Sequence, residues 1–218
     1  MEKVLVLRSS DRNNQSHGGF QWGEVGDIIT APDFRPTPYC RNGLHGALWG
    51  QGDGSLFNWE EDAIWMLLEV YKDNIIYLQE KVKFPSCKII AKGERKEITD
   101  ILVNKGYQCV IGATVTGGTG ATVTGGYAAT VIGGDKATVT GGDWATVTGG
   151  YKATVTGGER ATVTGGDGAT VTGGDGAVLN LYYYKDRIRI KTAYVGENGI
   201  KANTPYRLNA YNEFEEVK

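Results

Sequence analysis

The sequence lacks the features that mark membrane, secreted and nucleic-acid-binding proteins. No apolar run approaches the roughly 20 residues that a membrane-spanning helix needs. The apolar run at residues 4–7 is too short for a signal peptide, and Arg8 follows it directly. The formal net charge of −2 does not favour attraction to nucleic acid. These absences predict a cytoplasmic protein that contacts neither a membrane nor nucleic acid.

Cysteine is scarce as well. Cys40, Cys87 and Cys109 are odd in number and far apart, which excludes a disulfide framework and the close pairs typical of zinc sites. We expect reduced and mostly buried thiols, no bound metal and no cofactor.

Glycine is abundant and unevenly spread. Most of the 33 glycines follow residue 111, and this shift in composition marks the main boundary of the chain. We predict a mixed α+β N-terminal domain over residues 1–110, a parallel β-solenoid of octapeptide repeats over residues 111–178, and a C-terminal β cap over residues 179–218.

The N-terminal segment reads as strands mixed with two helices. The stretch ERKEITDILVNKG, residues 94–106, predicts a helix that stops at Gly106. The stretch NWEEDAIWMLLEV, residues 58–70, predicts a helix in its first half, because Asn58 can cap it and acidic residues follow. Its second part, WMLLEV, fits a helix or a buried strand equally well.

Eight octads of the form A-T-V-T-G-G-x-x begin at Ala113 and recur every eight residues up to Ala169. In a strand this order places Ala and Val on one face and the two Thr on the other. Gly-Gly would allow a tight turn with positive φ. A fixed short period is the signature of a solenoid, in which each coil buries its apolar side against its neighbours.

The small size of Ala and Val predicts a thin core. Two octads per coil, facing each other across one apolar layer, give four coils; a wider coil of three or more octads is the alternative, with a centre that is harder to fill. The valines predicted to point inward are Val115, Val123, Val131, Val139, Val147, Val155, Val163 and Val171.

Two kinds of surface point outward from such coils. Each flat face carries ranks of T-x-T, and Ile132 is the one departure from that pattern. The variable residues at the turns form two edges, and one edge places Tyr127, Trp144 and Arg160 in consecutive coils. Aromatic and Arg side chains are enriched at binding hot spots, so these three are the predicted binding residues.

The Gly-rich stretch YCRNGLHGALWGQGDGSLFNW, residues 39–59, supplies the candidate catalytic residues. It matches neither nucleotide-binding fingerprint. A likeness to the strand–helix–strand region of ADP-ribosyltransferase-like folds would assign catalysis to Arg8, His45 and either Glu60 or Glu61.

Three motifs together resemble a family of uncharacterised bacterial and phage proteins. They are C-x-x-G-L-H-G-x-L-W-G-x-G-D-G-S-L at residues 40–56, VKFP at residues 82–85, and the tail YVGENGIKANTPYRLN at residues 194–209, with short Gly-rich repeats between the last two. The resemblance implies a prophage or mobile-element setting and no particular activity.

The leading hypothesis is a non-enzymatic intracellular binding or scaffold protein whose solenoid captures a host protein, with self-association as a further property. One alternative is an ADP-ribosyltransferase-like N-terminal domain. The other is binding to ice or another crystal surface through the flat arrays of threonine.

Overall fold

The computed structural model describes residues 2–16 and 18–217. The chain forms two compact units, one up to Ile111 and one from Gly112 onward. The repeats and the C-terminal strands belong to the same unit, and the division into three domains stays a prediction. Within the described residues, no helix is long and apolar enough to cross a membrane.

The first unit contains the strands β1 Lys3–Ser10, β2 Gln15–Ser16, β3 Phe20–Gln21, β4 Ile28–Thr30, β5 Leu44–Leu48, β6 Ile64–Tyr71, β7 Ile76–Leu78, β8 Lys81–Phe84 and β9 Ser86–Gly93. Seven of them form one sheet with the order β4-β9-β6-β1-β5-β8-β7, and its strand pairs are all antiparallel. The two short strands β2 and β3 pair separately and antiparallel with each other. Helix α1 spans Arg95–Asn104, and two 3-10 helices span Gly54–Leu56 and Lys72–Asn74.

One of the two predicted helices is present. Helix α1 is confirmed, with a capping box between Glu94 and Glu97 and with Gly106 at a φ of 88° beyond its end. The helix predicted in the first half of residues 58–70 is wrong, because the chain turns there and then forms β6. Strand β6 lies between β9 and β1 and is buried over four consecutive residues. A strand covered on both faces loses the alternation that would have identified it.

The second unit contains the solenoid, and its two-octad coil is confirmed. The strands are β10 Thr114–Gly117, β11 Thr122–Thr124, β12 Thr130–Gly133, β13 Thr138–Thr140, β14 Thr146–Gly149, β15 Thr154–Gly157, β16 Thr162–Gly165 and β17 Thr170–Gly173. Each strand pairs in parallel with the strand two octads further along, so that Thr114 lies opposite Thr130 and Thr122 opposite Thr138. Odd and even octads therefore build two separate sheets over four coils.

The C-terminal strands close the last coil as the predicted β cap. Strand β18 (Val178–Lys185) continues one sheet in parallel with β16 and then pairs antiparallel with β19 (Arg187–Tyr194). On the other sheet, β20 (Tyr206–Leu208) pairs antiparallel with β17 and with β21 (Phe214–Glu216). Changing to antiparallel partners ends the parallel stack and covers edges that would otherwise recruit another chain.

The core of the solenoid is the predicted layer of alanine and valine. Seven of the eight octad valines are buried, and Val115, in the first coil, is half-buried. Leu179, Val195 and Tyr206 extend the same core into the cap. The inward direction predicted for the valines is thus confirmed.

The prediction that Gly-Gly provides a turn with positive φ is wrong. Within residues 113–176, all of which the structure describes, neither glycine of any Gly-Gly pair has a positive φ. The first glycine faces the core, where a Cβ at Gly157 would lie 2.7 Å from Cβ of Ala161. The second glycine stacks on the backbone of the coil before it, where a Cβ at Gly166 would lie 2.6 Å from the carbonyl carbon of Gly150. The first position, and the second position beyond the first coil, therefore require glycine for lack of space and not for backbone freedom.

Positive φ falls instead on the last residue of each octad. Lys136, Trp144 and Arg160 have φ values of 56°, 59° and 53°, whereas Gly120 and two later octads supply glycine there. The left-handed conformation costs a residue with a Cβ roughly 1 to 2 kcal/mol. Non-glycine residues at this position are therefore strained, and the coil accommodates them.

This strain yields a stability prediction at Lys136. Lys136→Gly should raise the free energy of unfolding by about 0.5 to 1 kcal/mol, because relief of the strain exceeds the entropy that glycine adds to the unfolded chain. Chemical denaturation measures the change. Lys136→Ala is the control, since it removes the same long side chain but keeps the Cβ and should be nearly neutral. Equal stabilities of the two variants would contradict the prediction.

Candidate functional site

One flat face of the solenoid carries an uninterrupted threonine array. The outward residues of β11, β13, β15 and β17 are threonine in every rank of all four coils. We call this surface the threonine face; it consists of Thr122, Thr124, Thr138, Thr140, Thr154, Thr156, Thr170 and Thr172. Neighbouring ranks are ~4.8 Å apart across the strands and the two threonines of one strand are ~6.6 Å apart, from the ordinary spacing of β-sheets. The result is a regular lattice of hydroxyl and methyl groups without a charged side chain.

The opposite face, on β10, β12, β14 and β16, is less regular. Ile132 replaces a threonine in the second coil and is exposed. Past the fourth coil, Val178 and Asn180 of β18 lie in register with Thr162 and Thr164. The array of this face is therefore interrupted within the coils and bounded by other side chains.

The turns stack into the two predicted edges. On each edge an aspartate links successive coils: Oδ1 of Asp135 accepts a hydrogen bond from the backbone N–H of Tyr151 at 2.8 Å, and Oδ1 of Asp143 accepts one from Glu159 at 2.8 Å. These bonds satisfy backbone donors where the strands have ended and hold the variable residues in line.

The predicted binding residues lie on one of these edges. The guanidinium of Arg160 lies over the ring of Trp144, 5.0 Å from its centroid, and Trp144 is 51% exposed. Tyr127 belongs to the coil before Trp144 and is half-buried. The structure thus aligns the three residues, and their role in binding stays a prediction.

The candidate catalytic residues do not form one site. Arg8 and His45 lie together, because Nη1 of Arg8 donates a hydrogen bond of 2.6 Å to the carbonyl oxygen of His45. Both line a cleft in the first unit, whereas Glu60 and Glu61 are exposed and line a different one beside Trp59. The acid that an ADP-ribosyltransferase-like site would take from Glu60 or Glu61 is therefore absent from the cleft of Arg8 and His45, and this assignment is wrong.

The cysteines also differ from expectation. Cys87 is buried, and burial raises the pKa of its thiol to about 12. Cys40 and Cys109 are exposed, contrary to the prediction of mostly buried thiols.

Comparison with known proteins relates the chain to bacterial ice nucleation proteins. It is 40% identical over 96 residues to the ice nucleation protein of Pseudomonas fluorescens, which is 43% of this chain and 8% of that relative. It is 33% identical over 104 residues to that of Xanthomonas campestris pv. translucens, covering 47% and 7%, and 35% identical over 97 residues to one from Pseudomonas syringae, covering 44% and 8%. The chain thus spans less than a tenth of the length of these relatives. No family model and no solved structure matches it.

This similarity corrects the leading functional hypothesis. The relatives are bacterial proteins named for an action on ice, which contradicts a phage scaffold that captures a host protein and also contradicts an ADP-ribosyltransferase. The predictions of a protein partner, of a cytoplasmic location and of no membrane association are wrong on the same ground. The alternative that rested on outward threonines is the one that agrees with the comparisons.

Proposed function

We propose that the protein binds ice and that the threonine face is its contact surface. The observation that carries the proposal is the uninterrupted array of eight threonines over four coils. Similarity to ice nucleation proteins supports it.

Periodicity explains why a crystal suits this surface better than a protein partner does. Identical coils offer a protein several equivalent registers and select none of them. Ice is itself a periodic array, so every register along the solenoid is equally productive. The uniformity of the octads, which carries no information for a unique partner, is then an advantage.

Rigidity favours the same function. The inner strands of the threonine face are paired on both sides, between β11 and β17. Threonine is β-branched, and its side chain has few accessible χ1 rotamers. A surface that is already ordered loses little conformational entropy when it contacts a solid, and this preorganisation strengthens binding.

The edge with Tyr127, Trp144 and Arg160 is the second candidate surface. The observation in its favour is the exposed Trp144 ring held in line by Arg160. This edge is narrow and its chemistry changes from coil to coil, which suits a periodic solid less well than the threonine face does.

A matched pair of double variants tests the assignment of the face. Thr138→Lys with Thr154→Lys places two charges on the threonine face; Thr146→Lys with Thr162→Lys does the same on the opposite face. All four positions are exposed, so each substitution should change stability by no more than about 0.5 kcal/mol. The measurement is the fraction of protein incorporated into slowly growing ice.

We expect the first double variant to lose most of its incorporation and the second to retain it. Trp144→Ala provides the arm for the edge and should leave incorporation unchanged. If only the second double variant lost incorporation into ice, the choice of face would be wrong. If only Trp144→Ala lost incorporation, the edge with Trp144 would be the contact surface.

A further inference from the structure

The first unit contains a cleft of about 720 Å³, which is within the usual range for small-molecule sites. One part of its lining is apolar and includes Phe20, Leu44 and Phe57. The other part includes Arg8 and His45. Ice binding by the solenoid gives this cleft no role.

Arg8 is held in the cleft with most of its hydrogen-bonding capacity unused. Its guanidinium carbon lies 4.5 Å from the centroid of the Trp22 ring, and Nη1 donates to the carbonyl oxygen of His45. Among the described residues, the buried Nε has no acceptor. Since Nη1 is the nitrogen on the Cδ side, Nε and Nη2 form the remaining edge, with two parallel donors.

The charge of Arg8 is also uncompensated. Burial lowers its pKa to about 10, so the group stays protonated at neutral pH. Among the described residues, no carboxylate forms an ion pair with it. Three acids line the same cleft, Asp33, Asp53 and Glu80, and none of them forms an ion pair with Arg8 within the described residues; Asp33 accepts a hydrogen bond from Asn42, and Asp53 accepts from Ser55. Arg8 is half-buried, and a charge that is partly removed from water is costly unless an anion accompanies it.

Two more buried polar atoms of the cleft have no partner in the described part of the chain, Nε1 of Trp22 and Nε2 of His45. Trp22 is 2% exposed, so its N–H cannot be satisfied by bulk water. Burial, together with nearby Lys81 and Arg8, lowers the pKa of His45 to about 4, so its ring is neutral at pH 7. Buried polar atoms normally have a hydrogen-bond partner. Three of them without one in the same cleft, on Arg8, Trp22 and His45, suggest that a ligand supplies the missing partners.

We propose that this cleft binds a small carboxylic acid with a flat apolar body. The carboxylate accepts from the free edge of Arg8, whose planar fork matches two carboxylate oxygens. The indole N–H of Trp22 supplies a further donor. The apolar body contacts Phe20, Leu44 and Phe57.

Benzoate and its neutral counterpart benzamide are the probes, used with the full chain and followed by isothermal titration and by thermal shift. We expect saturable binding of benzoate and at least about tenfold weaker binding of benzamide, since a hydrogen bond to a charged group contributes about 1.5 to 3 kcal/mol. Equal binding of the two probes, or no saturable binding of benzoate, would overturn the proposal.

Variants of arginine identify the group responsible. Arg8→Met should abolish the preference for benzoate while leaving the unliganded protein about as stable as wild type, because the variant removes a half-buried charge that no carboxylate of the described residues pairs with. Arg8→Lys keeps the charge without the fork and should bind benzoate more weakly than wild type. Arg12→Met is the matched control, since Arg12 is exposed and pairs with Asp62 outside the cleft. An undiminished preference for benzoate in Arg8→Met, or its loss in Arg12→Met, would refute the role of Arg8.

Discussion

Replacing Val147 by aspartate should unfold the solenoid. Val147 is 0% exposed and lies in the third coil, with a parallel neighbour on each side. The core there consists of alanine, valine and glycine, which offer no partner for a carboxylate. Burying an unpaired charge costs several kcal/mol, and the thin layer has no room to turn the side chain toward water. We expect a loss of more than about 4 kcal/mol in the free energy of unfolding.

Chemical denaturation and circular dichroism measure this effect. Thr146→Asp is the control, because Thr146 precedes Val147 in the same strand but is exposed. That variant should stay within about 0.5 kcal/mol of wild type. A Val147→Asp protein with unchanged unfolding would show that the valines do not form the core.

Replacing Gly166 by alanine should be nearly as damaging, although it adds only one methyl group. The new Cβ would lie 2.6 Å from the carbonyl carbon of Gly150, 2.7 Å from its oxygen and 2.8 Å from the backbone nitrogen of Tyr151. These are backbone atoms of the adjacent coil, so relief requires the coils to separate. Overpacking costs about 1 to 3 kcal/mol, and we expect the upper end of that range because the new methyl group meets backbone atoms.

Gly118→Ala is the matched control for this variant. Gly118 occupies the same place in its octad but belongs to the first coil, and a Cβ there would meet nothing within 4 Å. Its effect on the unfolding midpoint should be small. If Gly118→Ala and Gly166→Ala were equally destabilising, the cause would be backbone conformation and not contact between coils.

The solenoid is the part of the fold that its sequence predicts best. A period of eight, an alternation of small apolar residues with threonine, and the small volume of Ala and Val together lead to two octads per coil. Each of these properties is local and is repeated in every octad. A departure from the consensus at one residue, such as Ile132, therefore does not change the predicted coil.

The role of the glycines could not be read in the same way. Gly-Gly before two variable residues matches a turn with positive φ, and only the stacked coils show that Gly166 faces the backbone of Gly150. The position that does adopt positive φ holds Trp144 and Lys136, residues that disfavour it. Contacts between coils, which a single octad does not contain, decide both assignments.

The first unit shows where sequence patterns reach their limit. Residues 58–70 begin with an apparent helix cap, but the central place of β6 in the sheet overrides that local preference. Of the candidate catalytic residues, Arg8 and His45 lie together, whereas Glu60 and Glu61 line a different cleft. Nothing in the sequence marks Trp22 as a residue of this cleft, because its contact with Arg8 depends on how a loop packs onto the sheet.

The sequence alone favours the wrong functional hypothesis, and the reason is physical. Threonine is a favourable outward residue for any strand, so T-x-T ranks alone do not separate an ice-binding face from an ordinary surface. The variable edge with Trp144 and Arg160 has the aromatic and arginine side chains of a binding hot spot, which favour a protein partner. The uninterrupted threonine face and the similarity to ice nucleation proteins reverse that preference.

Direct adsorption to ice tests the central claim. The wild-type protein can be labelled with a fluorophore at its exposed cysteines, Cys40 and Cys109, both of which lie outside the octads. A single ice crystal is then grown slowly in the labelled solution, beside an unrelated protein of similar size and charge. We predict that the crystal surface becomes fluorescent with this protein and stays dark with the unrelated one. Exclusion of both proteins from the ice to the same extent would contradict the account.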